Sequence, residues 1–226
     1  MLFRSWIIRL HSEMPFMAGE GMAMDWISEY AKFKNVLVAC NAPRMAKEIS
    51  LLIGEDKTIY LPNFYPQEYK TKKFDSDKEY VDVACFGAIR PLKNQLTQAF
   101  AALEFAEKIG KKLRFHVNAG RIEMNGDPVK NNIRNLFEQL VDTGHQLVNH
   151  QWTPREGFLQ LCSEMDIGMQ CSFSETFNIV GADLVSQGIP LVSSSEIPWH
   201  TPWFSAEPTE SEQIYNCLHK IGRAHV

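Results

Sequence analysis

The chain has 226 residues, 45% of them hydrophobic and 22% charged, with a formal net charge of −4. That is enough apolar material to bury a core and to fold one domain plus part of another, while the acidic balance excludes a nucleic-acid binder, which needs a basic face. No apolar run approaches the roughly 18 residues of a transmembrane helix, and the stretch 1–10 is too short for a signal peptide. Along the first third, Trp6–Leu10 reads as an apolar strand ending in His11-Ser12-Glu13, 20–33 as a helix and 35–39 as a strand. Pro43–Ile53 reads as a helix with proline in its first turn, where the missing N–H costs little, and 58–61 as a strand ending at Pro62-Asn63. The segment 14–24, rich in Met and small residues, reads as a cleft-lining helix start that leaves peripheral membrane contact open. The polar segment 66–78, with Lys70, Lys72 and Lys73, reads as a solvated linker.

A second unit follows. Residues 81–86 alternate as a strand and run into Gly87, then Ala88-Ile89-Arg90-Pro91-Leu92-Lys93-Asn94. The next helix places Leu96, Ala99, Phe100, Leu103, Ala106 and Ile109 on one apolar stripe, with Pro91 in its first turn. Arg90 and Lys93 therefore sit at a strand–glycine–helix turn. A helix start favours acids, so two cations there point to a bound anion rather than to ordinary solvated side chains. Residues 112–118 alternate into a turn at Ala119-Gly120-Arg121, and 146–150 form another short strand followed by Gln151-Trp152-Thr153. A core position is the commoner fate of such a tryptophan. Residues 157–162 are amphipathic and lead to the most informative stretch.

There, 165–171 is a mostly apolar run, Ser174-Glu175-Thr176-Phe177-Asn178-Ile179 follows, and Asp183 stands eight residues after Glu175. This reads as strand, loop, helix, loop, strand. Ser174 is the expected N-cap of a helix opening near Thr176 and Phe177. Gly188 stands where a helix C-terminal glycine belongs, and 189–192 is a buried strand. A doubly wound sheet binds ligands beyond the carboxyl ends of its strands, and a helix start offers a seat for phosphate. A carboxylate beside that seat is repelled by phosphate and is better used on sugar hydroxyls. No Gly-x-Gly-x-x-Gly occurs, so a dinucleotide dehydrogenase fingerprint is missing.

These motifs resemble the retaining GT-B glycosyltransferases of group 1, with their Glu-x7-Glu signature. Glu175, the Phe177-Asn178-Ile179 turn and Gly188-Ile189-Pro190-Leu191-Val192 carry the likeness. Asp183 replaces the second Glu, one methylene shorter, and Asn178 the common Gly; Asn tolerates left-handed backbone better than other non-glycine residues. The resemblance implies an α/β fold of GT-B type: the last part of the N-terminal, acceptor-side Rossmann-like domain at 6–65, a linker at 66–79, and the Rossmann-like donor domain at 80–220. It implies catalytic roles for Arg90, Lys93, Glu175 and His11: Arg90 and Lys93 clamp the diphosphate, Glu175 lies against the donor sugar, and His11 reaches that sugar from the acceptor side. Donor binding would fall to Gly87, Trp152 beside the base, Thr176, Phe177, Asn178, Ile179, and Asp183 on the ribose. The implied activity is transfer of a sugar from a nucleotide-diphosphate sugar to a glycan, lipid-linked or protein acceptor with retention of configuration. No cofactor and no metal is expected.

The ends add a further expectation. Met1-Leu2-Phe3-Arg4-Ser5 and the stretch 221–226 can be encoded by strings that are reverse complements over about a dozen bases and match a common sequencing adapter. Residues 1–5 and 221–226 are thus read as scars, and the chain as a fragment truncated at both ends and inactive alone. Five scattered cysteines without a Cys-x-x-Cys pair indicate reduced thiols in a cytoplasmic or membrane-peripheral protein. Seven histidines show no metal-ligand spacing. Two other readings stay open: a non-catalytic glycan- or nucleotide-binding relative, and an unrelated doubly wound enzyme such as a sugar phosphorylase or epimerase.

Overall fold

The structure is a computed structural model that describes residues 4–19, 21–65, 70–72, 75 and 77–224, the last two without their side chains. The chain divides into two units: Met1–Tyr65 with Ser174–Phe177 and Ile197–Trp199, and Pro66–Phe173 with Asn178–Glu196 and His200–Val226.

In the first unit, β1 (Trp6–Leu10), β2 (Val36–Cys40) and β3 (Thr58–Tyr60) form a parallel sheet in that order, with Trp6 opposite Val36 and Val38 opposite Thr58. The connections are helical, as parallel neighbours require: α1 (Met14–Met17) and α2 (Ala23–Ala31) lead from β1 to β2, and α3 (Pro43–Ile53) leads from β2 to β3. The single helix expected over 20–33 is therefore shorter and preceded by a separate turn of helix. Gly19 and Gly21 lie at the break, where glycine costs a helix about 1 kcal/mol each. Ile27, Val38, Cys40, Met45 and Ile49 form the core, all essentially buried. Trp6 and Ile7 on the outer strand stay exposed, as do Trp26 and Phe33 near α2.

The second unit holds β4 (Tyr80–Ala84), α4 (Gln95–Lys108), β5 (Lys112–Val117), α5 (Asp127–Gln139), β6 (Gln146–Asn149), α6 (Arg155–Glu164), β7 (Ile167–Gln170), α7 (Ile179–Ser186), β8 (Leu191–Ser194), β9 (Ser205–Ala206) and α8 (Ser211–Ala224). All six strands are parallel in the order β6-β5-β4-β7-β8-β9. The chain winds outward from β4 to β6, returns to the centre and winds out the other way. This is the Rossmann-like order, and its switch point lies between the carboxyl ends of β4 and β7. Neither α5 nor α8 was among the sequence expectations. The stretch 221–224, read there as a scar, continues α8, and Ile221 is buried in the core.

Two sequence expectations change here. On α4, Ala99, Leu103 and Ala106 are buried as expected, but Phe100 is 52% exposed while Phe105 is fully buried. The helix packs against α8 as well as the sheet, so its buried face turns toward Ala101, Ala102 and Phe105. At Gly222 of α8 an added Cβ would stand 3.2 Å from the Phe105 ring. The lysines expected to be solvated in a linker are held instead. Lys70 donates to Gln187 Oε1 at 2.7 Å, and Lys72 donates to Ser163 O at 2.9 Å and Met165 O at 2.5 Å. Each ammonium finds carbonyl acceptors at the ends of α6 and α7, where the helix dipole favours a cation. Lys73 lies outside the described residues.

Candidate functional site

The loop after β4 forms one wall of the switch point. Gly87 takes φ +109, a conformation costly for any side chain, and its N–H donates to Asn118 Oδ1 at 2.8 Å. Ile89 bridges to Ile122, and a Cβ at Gly126 would lie 2.2 Å from Ile89 O, so only glycine admits this approach. Arg90 is extended and pairs with Glu123, which also pairs with Arg121. Pro91 opens a separate 3-10 turn, Pro91–Lys93, rather than the first turn of α4 as expected. Asn94, at φ +57, ends it, and its side chain donates to Cys171 O and Pro208 O instead of capping α4. Burial pushes the Lys93 ammonium down to about 8, and the Arg90 guanidinium adds to the shift.

The opposite wall is the start of α7. The helix opens at Ile179, not at Thr176, and its N-cap is Asn178, not Ser174. Asn178 adopts φ +54, as the tolerance of Asn for left-handed backbone allows. Its Oδ1 accepts from Gly181 N–H at 2.7 Å, and its Nδ2 donates to Gln170 Oε1 at 2.9 Å. Ser172, Phe173 and Ser174 lie instead in the loop before the helix, with Phe173 N–H bound to Leu92 O at 2.9 Å. Gly188, at φ +79, closes the helix where a C-terminal glycine was expected.

Gly87, Trp152, Ile179 and Asp183, four of the expected donor-binding residues, line one pocket of about 250 Å³. Asn118, Thr153, Arg155, Phe158 and Val180 complete it. Trp152 is not in the core: it is 56% exposed, and the Arg121 guanidinium lies 4.7 Å from its ring centre. Asp183 is buried and ion-paired with Arg155 at 2.9 Å, so its carboxylate already has a cationic partner. Arg155 was not foreseen. It opens α6 directly after Pro154 and belongs to no motif, so its meeting with Asp183 is visible only in three dimensions. Phe158 packs edge-on against Phe86, whose other neighbour is the His150 ring.

A polar chain runs across the sheet from β4 through β5 to the residue after β6. Asp82 Oδ1 lies 2.9 Å from His116 Nε2, and His116 Nδ1 lies 2.9 Å from His150 Nε2. Burial pushes the Asp82 carboxyl up, but hydrogen bonds from His116 and Arg114 outweigh it and hold the group below its ordinary range. Burial, with the His116 charge beside it, holds His150 below the usual imidazole value.

The remaining expected residues fall in the first unit. Thr176 Oγ1 donates to His11 O at 3.2 Å and accepts from Asn41 Nδ2 at 3.1 Å. Phe177 packs between Tyr65 and Trp199, with ring centres 6.3 and 5.7 Å away. Glu175 is buried, whereas His11 is exposed, its imidazole held below the usual range by desolvation and by Arg9. Among the described residues no group of three or more His, Cys, Asp or Glu side chains is placed to hold a metal, and no helix is long and apolar enough to cross a membrane.

No protein-family model matches the sequence, and no curated protein is similar to it. Solved structures do match. HepE of Anabaena, in complex with UDP and glucose, superposes with a TM-score of 0.66 at 16% identity over 96% of this chain and 61% of that one. The UDP-forming α,α-trehalose-phosphate synthase of Burkholderia vietnamiensis gives 0.68 at 10% over 95% and 57%. A mutant of TarM of S. aureus, in complex with fondaparinux, α-GlcNAc-glycerol and UDP, gives 0.63 at 11% over 98% and 45%. The chain thus spans about three-fifths of the first of these proteins and less of the others. At such identities the likeness shows the fold: parallel Rossmann-like sheets of the kind that build the GT-B glycosyltransferases.

Proposed function

We propose that the chain is the donor-binding part of a retaining glycosyltransferase that uses a nucleotide-diphosphate sugar. The observation that carries this reading is the pocket at the switch point of the second unit, where four residues picked out from sequence motifs meet in a fold shared with UDP- and UDP-glucose-bound structures. In it the nucleoside occupies the pocket, its base against Trp152 and its ribose on Asp183. The diphosphate lies toward Gly87 and the start of α7, where the N-terminal dipole favours anions.

Arg90 and Lys93 neutralise the charge that grows on the departing diphosphate. Positive charge fixed in advance, in a place shielded from water, stabilises that transition state more than the ground state. Lys93, desolvated and repelled by Arg90, gains most from an arriving anion. Glu175 and His11 are assigned to the sugar by the sequence resemblance, and Thr176, Phe177, Asn178 and Ile179 follow Glu175 into α7. Sugar transfer on this plan needs no metal, because the two cations take the place of a divalent ion.

Calorimetry with UDP, GDP and ADP, followed by the matching nucleotide sugars, tests the reading. Binding of one nucleoside diphosphate that is lost in Arg90→Ala and Lys93→Ala supports it; no binding by the intact chain to any of the three sinks it.

A further inference from the structure

We propose that Gln170, a residue no motif singles out, positions the two walls of the pocket for the diphosphate of the ligand; this rests on the nucleotide-sugar reading above. Gln170 is the last residue of β7 and is 2% exposed. Its Nε2 donates to Phe86 O at 3.0 Å, and its Oε1 accepts from Asn178 Nδ2 at 2.9 Å. Phe86 immediately precedes Gly87, and Asn178 immediately precedes Ile179 and Val180; Gly87, Ile179 and Val180 all line the pocket. One side chain thus ties the wall that follows β4 to the wall that begins α7.

The neighbouring bonds extend the tie in both directions. Asn118 Oδ1 holds the Gly87 N–H, and Asn178 Oδ1 holds the Gly181 N–H inside α7. The glutamine amide does both jobs at position 170, donating to a carbonyl and accepting from another amide at once, which an ionised carboxylate or an apolar side chain cannot do. An apolar residue among apolar neighbours would meet the needs of stability at such a position. Methionine fills the volume without needing partners, and strands buried on both faces of a parallel sheet are ordinarily apolar throughout. A buried glutamine with both ends satisfied contributes definition of geometry: the distance between Gly87 and the first turn of α7 is set by a chain of hydrogen bonds rather than by soft packing. Asn178 is its required partner. Glycine would accept φ +54 without strain, but it would break the link to Gln170 and the cap together.

The test uses the 226-residue chain with Gln170→Met, Asn178→Gly and the double variant. Calorimetry gives the affinity for UDP, GDP and ADP, and ligand-observed NMR gives that for uridine, guanosine and adenosine. Each single variant is expected to weaken the tightest nucleoside diphosphate about tenfold, the scale of one hydrogen bond, and to leave the nucleoside unchanged. The double variant should lose no more than the worse single one, because both changes cut the same link. Asn178→Gly suits its backbone, so it reads the clamp even where Gln170→Met does not fold. Unchanged diphosphate affinity in folded variants, or equal losses for diphosphate and nucleoside, overturns the positioning role while nucleotide binding stands. A parent chain that binds none of the three diphosphates removes the donor-site reading, and the clamp with it.

Discussion

Lys93 gives the most direct test of the site, because the same charge that would serve a ligand costs the unliganded fold. Its ammonium falls from an ordinary 10.5 to about 8 through burial and the Arg90 guanidinium. At about 1.4 kcal/mol per pH unit, keeping Lys93 charged near neutrality costs the fold up to about 3 kcal/mol. The sign follows from proton counting. Between about 8 and 10.5 the unfolded chain binds the proton and the folded chain does not, so stability rises with pH across that window and Lys93 contributes its full cost below it. Lys93→Met removes the charge and keeps the apolar stem. Urea denaturation at about pH 7 should show the variant more stable than the parent by as much as about 3 kcal/mol, a gain that fades as pH approaches about 10. The same variant should bind nucleoside diphosphate more weakly, and parent binding should decline as pH rises through about 8 while the variant's stays flat. A variant no more stable than the parent, or one with intact diphosphate affinity, refutes the picture of a desolvated cation held ready for an anion.

Arg90→Ala, in an enzyme completed with an acceptor-side domain, should cost turnover about 2–4 kcal/mol of transition-state stabilisation, read from kcat/KM. Glu175→Gln should impair sugar transfer and leave nucleoside diphosphate affinity intact, whereas Asp183→Asn should weaken the diphosphate itself by roughly 1.5–3 kcal/mol; the reverse pattern in calorimetry would exchange the two carboxylate roles. Arg155→Ala leaves Asp183 buried without its ion-pair partner at 2.9 Å, and because Arg155 is half exposed the expected loss in a denaturation midpoint corresponds to only about 1–2 kcal/mol. On acidification, stability should begin to fall below about pH 6.5, where the unfolded chain protonates its histidines and folded His150 resists. It should fall again as the carboxylate range is crossed and Asp82 loses the charge that His116 and Arg114 favour. His150→Gln should shrink the first step, which His11 and His200, also held below their ordinary value, share, and leave the second unchanged.

The alternation of apolar and polar residues, the punctuating glycines and the Glu175–Asp183 spacing were enough to place most strands and several helices, because these signals act within a few residues of one another. β1, β4 and β7 came within a residue or two of their sequence positions, and Gly188 closes α7 as its place in the motif required. Local rules failed where the deciding partner is distant in sequence. Ser174 had the right side chain for a cap, yet Asn178 takes that role, and the loop before it is tied through Phe173 N–H to Leu92 O, far back in the sequence. Phe100 fitted a stripe, but α8 claims the face of α4 that carries Phe105, and a single helix cannot show which of two neighbours it will meet. Trp152 stayed at the surface because Arg121 and the pocket offered it a half-exposed seat. The residue types gathered at the candidate site were therefore legible in the sequence, whereas the partners that hold them, Arg155 on Asp183, Glu123 on Arg90 and Gln170 between two loops, were fixed by sheet topology. A parallel, doubly wound sheet gathers loops from remote parts of the chain at one edge, and hydrogen bonds and ion pairs form there by proximity in space, a quantity that sequence spacing does not encode.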